Sequence, residues 1–468
     1  MPSVPAPPVG RLPDGFRVVL DPRTRRRDGG AALLGGSPLR LLRLAPRARE
    51  LLTGDELTVR DATTATLAAR LLDTGLAHPD LRPVEPTDVT VVVPVKDRAA
   101  ELDRLLAAVR ADLPAVPVLV VDDGSADADA TAAVCRAHRA DVVRHATARG
   151  PAAARNAGLA AATTGVVAFV DSDCVPHPGW LGVLAAHLAD TRLAVVAPRI
   201  VALPVAAPGW VAAYEGAVSA LDMGPRPAPV APLTGVSYVP SAALLVRRAA
   251  LGAGFDESMQ VAEDVDLVWR LAAAGWRVRY DPAAQVAHEH PARTTDWLRR
   301  RSFYGTGAAL LAQRHGSAVA PVVMSPWSAA AWGLALAGGR PGLLGAAAVL
   351  AGATRRLAPR LGDPPPTGLA ATLVVRGTWS AGRTLARAVT RHHWPVVLPL
   401  LAVPRVRRVV AAAAVADAVG AWWPHRREVG LARFAAGRRL EDLAYGAGLW
   451  RGAVRARDPR ALLPARPR

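Results

Sequence analysis

The stretch VVAFVDSDC, residues 166–174, decides how this chain is read. Five apolar residues, enough for a strand, run straight into two aspartates one residue apart, Asp171 and Asp173. Like charges that close repel and push one another toward protonation unless something positive stands between them. The end of this strand is therefore expected to hold a cation or to share a proton.

Working outward, the same design repeats. VTVVVPV (89–95) and PVLVVDD (117–123) are apolar runs of strand length, with ADVVRH (140–145) a further strand. AAELDRLLAAVRA (99–111), ADATAAVCRAH (128–138) and GPAAARNAGLAAATTG (150–165) carry helical spacing between them. Strands this apolar are buried on both faces, so the spacing predicts an α/β domain with a mostly parallel, Rossmann-like sheet covered by helices. Ligands of such sheets bind outside the carboxyl ends of the strands. Those ends carry Lys96-Asp97, Asp122-Asp123 and Asp171-Ser172-Asp173.

The chain has 468 residues, which suggests two or three domains. Residues 1–10 read as a disordered lead, and 1–86 as a small α+β domain. In it, strands 16–21 and 31–36 flank a charged turn, helices 45–54 and 63–75 follow, and a Pro-rich linker (78–88) ends it. Residues 87–310 form the α/β domain, and 311–468 a helical, apolar, Arg-rich region. A net charge of +18 first suggests nucleic acid. Against that, the chain has a single lysine, Lys96, its arginines are scattered, and no aromatic residues alternate with them as a strand-binding platform needs. Nucleic acid is therefore excluded as a partner. Two cysteines in unrelated contexts and a lead without an apolar core point to the cytoplasm.

Hydrophobic residues make up 51% of the chain and mean hydropathy is +0.19, so membrane contact enters the reading. Arg340 and Arg405–Arg408 interrupt the two most apolar stretches, and Trp422-Trp423 close the second. The expectation is association with the inner face of the membrane through interfacial helices, without spans, with membrane lipids as partners. The alternative is that these helices pack against the protein itself or a partner subunit.

Taken alone, a DxD pair more often caps a turn than binds an ion. Four segments in order change that reading: VTVVVPVKDR, VLVVDDGSAD, GPAAARNAGLAAATTGVVAFVDSDC and AEDVDLVWRLAAAGWRVRYDP (262–282). Together they resemble the family-two, inverting glycosyltransferases with the GT-A fold, over about residues 87–300. The resemblance implies that Asp123 meets the uracil ring, that Pro94 and Lys96 line the nucleoside pocket, and that Arg155 faces the phosphates. It implies that Asp171 and Asp173 hold a divalent cation, Mg²⁺ or Mn²⁺, against the donor diphosphate, with His288 or His290 as a further ligand. Asp264 matches the catalytic base, with Glu263 beside it. Trp297, Arg300 and Arg301 are candidates for contact with diphosphate or acceptor, Asp97 and Asp122 are expected to be structural, and the loop 222–235 to cover the acceptor groove. The Gln-x-x-Arg-Trp signature of processive synthases is absent, so short products are expected.

The layout of a small leading domain, catalytic domain and Arg-rich tail resembles the glycosyltransferases of the mycofactocin system. That implies transfer of glucose from UDP-glucose to a peptide-derived redox cofactor or its precursor, building a short β-glucan chain. The other reading is a lipid or cell-envelope glycan acceptor. The leading domain resembles the winged-helix domains that recognise precursor peptides, with a plain α+β appendage as the equal alternative.

Overall fold

The computed structural model describes residues 2–206, 208–362 and 364–466. The chain forms two compact units, residues 1–207 with 218–290 and residues 208–217 with 291–468. The first unit thus holds both the leading and the α/β domain. The helical unit begins at 291, some twenty residues before the boundary expected at 310, and takes in 208–217.

The leading domain runs β1 Arg17–Leu20, β2 Arg25–Arg27, β3 Ala32–Gly35, β4 Arg40–Arg43, α1 Pro46–Leu51, β5 Glu56–Thr58, α2 Ala62–Asp73 and β6 Ala77–Pro79. Two three-stranded antiparallel sheets, β5-β1-β6 and β2-β3-β4, enclose a core of its own around Leu33, Leu71 and Leu76. Asp61 caps α2 with a reciprocal Thr64 bond. The domain is tied to the larger sheet by buried charge: Arg277 Nε donates to Asp73 at 2.7 Å, and Arg279 bonds His78, which bonds Asp21. The segment expected as a disordered lead is partly tethered, because Trp276 Nε1 donates to the Pro5 carbonyl at 2.7 Å.

The α/β domain continues with β7 Val89–Val95, α3 Ala99–Asp112, β8 Val118–Asp122, α4 Ala128–Ala137, β9 Asp141–Arg144, α5 Pro151–Ala161, β10 Val166–Val170, β11 Cys174–Pro176, α6 Trp180–Ala186 and β12 Leu193–Ala202. After α7 Trp210–Val218 come β13 Ala228–Pro229, β14 Ala243–Arg247, α8 Arg248–Leu251, α9 Glu263–Ala273 and β15 Arg277–His288. The sheet order is β11-β15-β12-β14-β10-β7-β8-β9, with β13 on β15. Strands β10, β7, β8 and β9 pair in parallel, as the apolar runs predict, and β14 then pairs antiparallel to both β10 and β12. Every residue of β8 and β10 is buried. Helix α5 lies so close to the sheet that a Cβ on Gly158 would stand 2.3 Å from Val92 Cγ1. That closeness sets α5 with its N-terminus at the strand ends.

The second unit consists of α10 Thr294–His315, α11 Pro326–Ala337, α12 Gly339–Leu361, α13 Thr367–Arg391, α14 Trp394–Leu400, α15 Pro404–Trp422 and α16 Leu431–Ala456, with most of α7. Helices α10 and α16 touch backbone to backbone, where a Cβ on Gly448 would overlap the Ser302 carbonyl. Among the described residues no helix is long and apolar enough to cross a membrane.

Candidate functional site

The parallel strands end at a cavity of about 580 Å³, the right size for a nucleotide-sized ligand. Its wall contains Pro94, Lys96, Asp123, Arg155, Asp171 and Asp173, six of the sequence-derived site residues, together with Arg98, Arg149 and Gln260.

The two aspartates of VVAFVDSDC are not left to repel each other. Asp171 accepts from Arg155 Nη2 at 2.6 Å, and Asp173 from Arg98 Nη1 at 2.6 Å. Each carboxylate has its own guanidinium. Arg155 is fully committed: its other Nη donates to Glu263 at 3.1 Å, and only its Nε lacks a partner. Its side chain is 3% exposed and stacks 5.6 Å from the Phe255 ring centre. It thus links the DxD pair to the acid pair on α9 and reaches the cavity mainly through carboxylates.

Glu263 and Asp264 open α9 because Ala262, in the left-handed region (φ 64°), turns the chain sharply before the helix. Asp264 accepts from its neighbours' backbone, Val265 N at 2.8 Å and Ser241 N at 3.1 Å, which fixes its carboxylate. Burial, then the charge of Asp264, pushes Glu263 up to about 7. Burial likewise raises Asp264, against the backbone N–H groups and Arg155. Of the two, Glu263 is thereby placed to exchange a proton near neutrality.

Asp123 is 6% exposed at the end of β8. Burial works against its charge, yet the N–H groups of Arg149 (2.9 Å) and Gly150 (2.8 Å) and the His145 ring (2.7 Å) hold it below the usual carboxylate range. It is an ionised acceptor at the cavity wall. Asp97 and Asp122 stay structural: Asp97 Oδ1 accepts from Ala126 N at 2.7 Å, while Asp122 binds Ser125 N at 2.9 Å and Arg144.

The donor set suits a hard divalent cation in part. Asp171 and Asp173 supply carboxylate oxygens at the edge of a cavity with room for phosphate oxygens. His288, paired in register with Cys174 on β11, brings its Nε2 to 3.6 Å from Asp173 Oδ1, and the His290 ring lies 5.5 Å from that of His288. Yet among the described residues no three His, Cys, Asp or Glu side chains are assembled to hold an ion. An ion here would complete its shell with substrate oxygens. Lys96, Arg98, Arg149 and Arg155 against Asp123, Asp171 and Asp173 leave the cavity one positive charge in excess. A divalent ion would raise that to three, a fit for a diphosphate.

Two further candidates are bonded to a carboxylate of their own unit. Trp297 is 1% exposed and donates to Glu215 Oε1 at 2.9 Å, and Arg301 grips the same carboxylate, with 2.5 Å to Oε2. Both are spent inside the helical unit, where a buried glutamate needs them. Arg300, between them, is partly exposed. The loop 222–235 is irregular apart from β13, and Asp222 in it is held by Arg199 at 2.8–2.9 Å. Sequence reasoning missed Arg98, Arg149 and Gln260. Arg98 had a signal, since VKDR places it two residues past Lys96 at a strand's carboxyl end.

The chain is similar in sequence to known glycosyltransferases. The family model described as glycosyl transferase family 2 matches residues 90–250, which span β7 to α8 and include Asp123, Arg155, Asp171 and Asp173. The pre-mycofactocin glycosyltransferase of Mycobacterium tuberculosis is 48% identical over 470 aligned positions, 97% of this chain and 98% of that protein. The succinoglycan biosynthesis protein ExoU of Rhizobium meliloti is 39% identical over 104 residues, 21% of this chain and 30% of its own. Among solved structures, a mannosyltransferase from Pyrobaculum calidifontis, in complex with GDP-Man and Mn²⁺, is similar over 72% of this chain and 89% of its own, at 20% identity and a TM-score of 0.39. The chain therefore belongs to the family-two glycosyltransferases, with a GT-A catalytic domain, and over almost its whole length it is similar to a pre-mycofactocin glycosyltransferase.

Proposed function

We propose that this glycosyltransferase moves glucose from UDP-glucose onto mycofactocin or its peptide-derived precursor, with inversion at the anomeric carbon, and builds a short β-linked chain. The observation that carries the reading is the single line of charge Asp171–Arg155–Glu263–Asp264 beside a cation-rich cavity. The acceptor and sugar rest on the full-length similarity to the Mycobacterium tuberculosis protein and on the family resemblance.

In this reading Asp123 accepts from the uracil imide, and Lys96, Arg98 and Arg149 offer charge to the diphosphate. Asp171 and Asp173, with His288 at their edge, would hold Mg²⁺ or Mn²⁺, which as a Lewis acid eases departure of the nucleoside diphosphate. Asp264 takes the proton of the acceptor hydroxyl, which then attacks from the face opposite the leaving group. Glu263, next to it and bonded to Arg155, titrates in the field of Asp264. The reaction is assigned to the cytoplasm, and the leading domain to capture of the precursor.

The test is mass spectrometry of a reaction containing the protein, UDP-glucose, the unglycosylated precursor and Mn²⁺ or Mg²⁺. A ladder of hexose additions, lost in Asp264→Asn and without the ion, is the expected result. Slow release of UDP with no transfer to the precursor would reject the acceptor and keep the site. The second reading, a lipid or envelope-glycan acceptor, draws its support from the exposed apolar residues of the helical unit.

A further inference from the structure

The helical unit exposes apolar side chains on a scale that its own core does not require. Leu344 is 71% exposed, Trp379 65%, Val415 63%, Leu343 61% and Trp423 59%. They stand on α12, α13 and α15 and just beyond it. These helices are neighbours, α12 packing on α13 and α13 on α15, so their exposed side chains offer apolar contact to a partner outside the unit.

The charge around these residues selects between occupants. From residue 317 to 416 the sequence carries eleven arginines and one acid, Asp363, and all of these arginines but Arg387 and Arg391 are exposed. Exposed tryptophans are companions of arginine: Arg356 lies 4.7 Å over the Trp327 ring and Arg426 4.7 Å over Trp423. A second copy docking through this face would bring arginine against arginine, which self-complementary interfaces avoid. An anionic lipid surface meets both features at once. Its phosphates take the guanidinium groups, its upper acyl region takes leucine and valine, and tryptophan settles between them.

We propose that the surface carried by α11–α15 docks the protein onto an anionic lipid bilayer, lying along it without crossing it. The absence of a spanning helix among the described residues is compatible with that lateral mode. This goes beyond the transfer reaction and does not depend on which acceptor is used.

Flotation of the full-length protein with vesicles tests it. One set is phosphatidylcholine alone and the other phosphatidylcholine with phosphatidylglycerol, each at about 0.05 M and about 0.5 M salt. Arg376, Arg383 and Arg407 are exposed and make no side-chain hydrogen bond or ion pair among the described residues, so R376Q/R383Q/R407Q should fold normally. Far-UV circular dichroism and thermal melting check that.

The expected result is capture by the anionic vesicles only, weakened about a hundredfold in the triple variant at low salt. Trp379→Ala should weaken capture several-fold at both salt concentrations. Failure to float with anionic vesicles overturns the proposal, and a dimer in sedimentation would then assign the face to a second copy. Equal capture by both vesicle types, unchanged in the triple variant, overturns it as well, because the arginines would not be the recognising groups.

Discussion

Around Arg155, in the catalytic unit, one buried guanidinium serves Asp171 and Glu263, with Asp264 adjoining. In the helical unit Glu441 and Asp442 share Arg391 at 3.1 Å each, and Arg439 pairs with Asp442 at 3.2 Å. The groups are the same and both sets are deep, yet their protonation differs. At the first, acids outnumber cations, and burial with Asp264's charge pushes Glu263 up to about 7. At the second, Arg391, Arg301 and Arg387 together overcome burial and hold Glu441 at about 2. Asp442, 1% exposed, is still raised by its burial. For Glu263 and Glu441 burial makes the carboxylate sensitive, and the local count of cations then decides whether it becomes a proton acceptor or a fixed anion.

The comparison can be broken from either side. The largest effect is expected for Asp264→Asn, which keeps the shape and removes the base. The transfer rate should fall about 10³- to 10⁴-fold, with the melting temperature unchanged or slightly raised. If the rate survives, the proton leaves by another route. Arg391→Met comes next. It leaves Glu441 and Asp442 short of their shared cation, and unfolding of the helical unit in urea should lose about 3–5 kcal/mol. A loss under about 1 kcal/mol would mean that the neighbouring arginines suffice.

Glu263→Gln sharpens the contrast through pH. The folded state holds this proton near 7 where the unfolded chain holds it at 4.5. Its contribution to stability is therefore full below about 4.5 and is lost as pH rises through 7. Glutamine should leave stability unchanged near pH 4 and raise it by about 1–3 kcal/mol at pH 8, read from paired melts. The smallest effect belongs to Arg98→Ala. Its side chain is 36% exposed and so partly screened. The donor KM should rise about tenfold, with kcat falling less.

What was legible in the sequence follows from which interactions are local. Strands β7, β8 and β10 are apolar runs because both faces are covered, and their polar ends mark the ligand side, so fold and DxD pair could be read directly. The partners of that pair could not. Arg98 reaches Asp173 across 75 residues and Arg155 reaches Glu263 across 108, distances over which no periodicity runs. Strand β2 escaped notice because RRR lies in what reads as a charged turn, and β4 because RLLR is short and flanked by arginines; pairing with β3 makes both strands. Trp297 and Arg301 looked like ligand contacts because their partner, Glu215, lies more than eighty residues upstream. The raised pKa values of Glu263 and Asp264 come first from burial, which no motif encodes.

The most direct measurement is the pH dependence of kcat/KM for hexose transfer, in the native protein and in Glu263→Gln. The account predicts an acid limb above the ordinary carboxylate range in the native protein, moved to lower pH when the neighbouring carboxylate is gone. A limb near 4 in both proteins would show that the α9 acids titrate like ordinary carboxylates. That result would contradict the claim that scarcity of buried cations around Arg155 is what prepares this site for proton transfer.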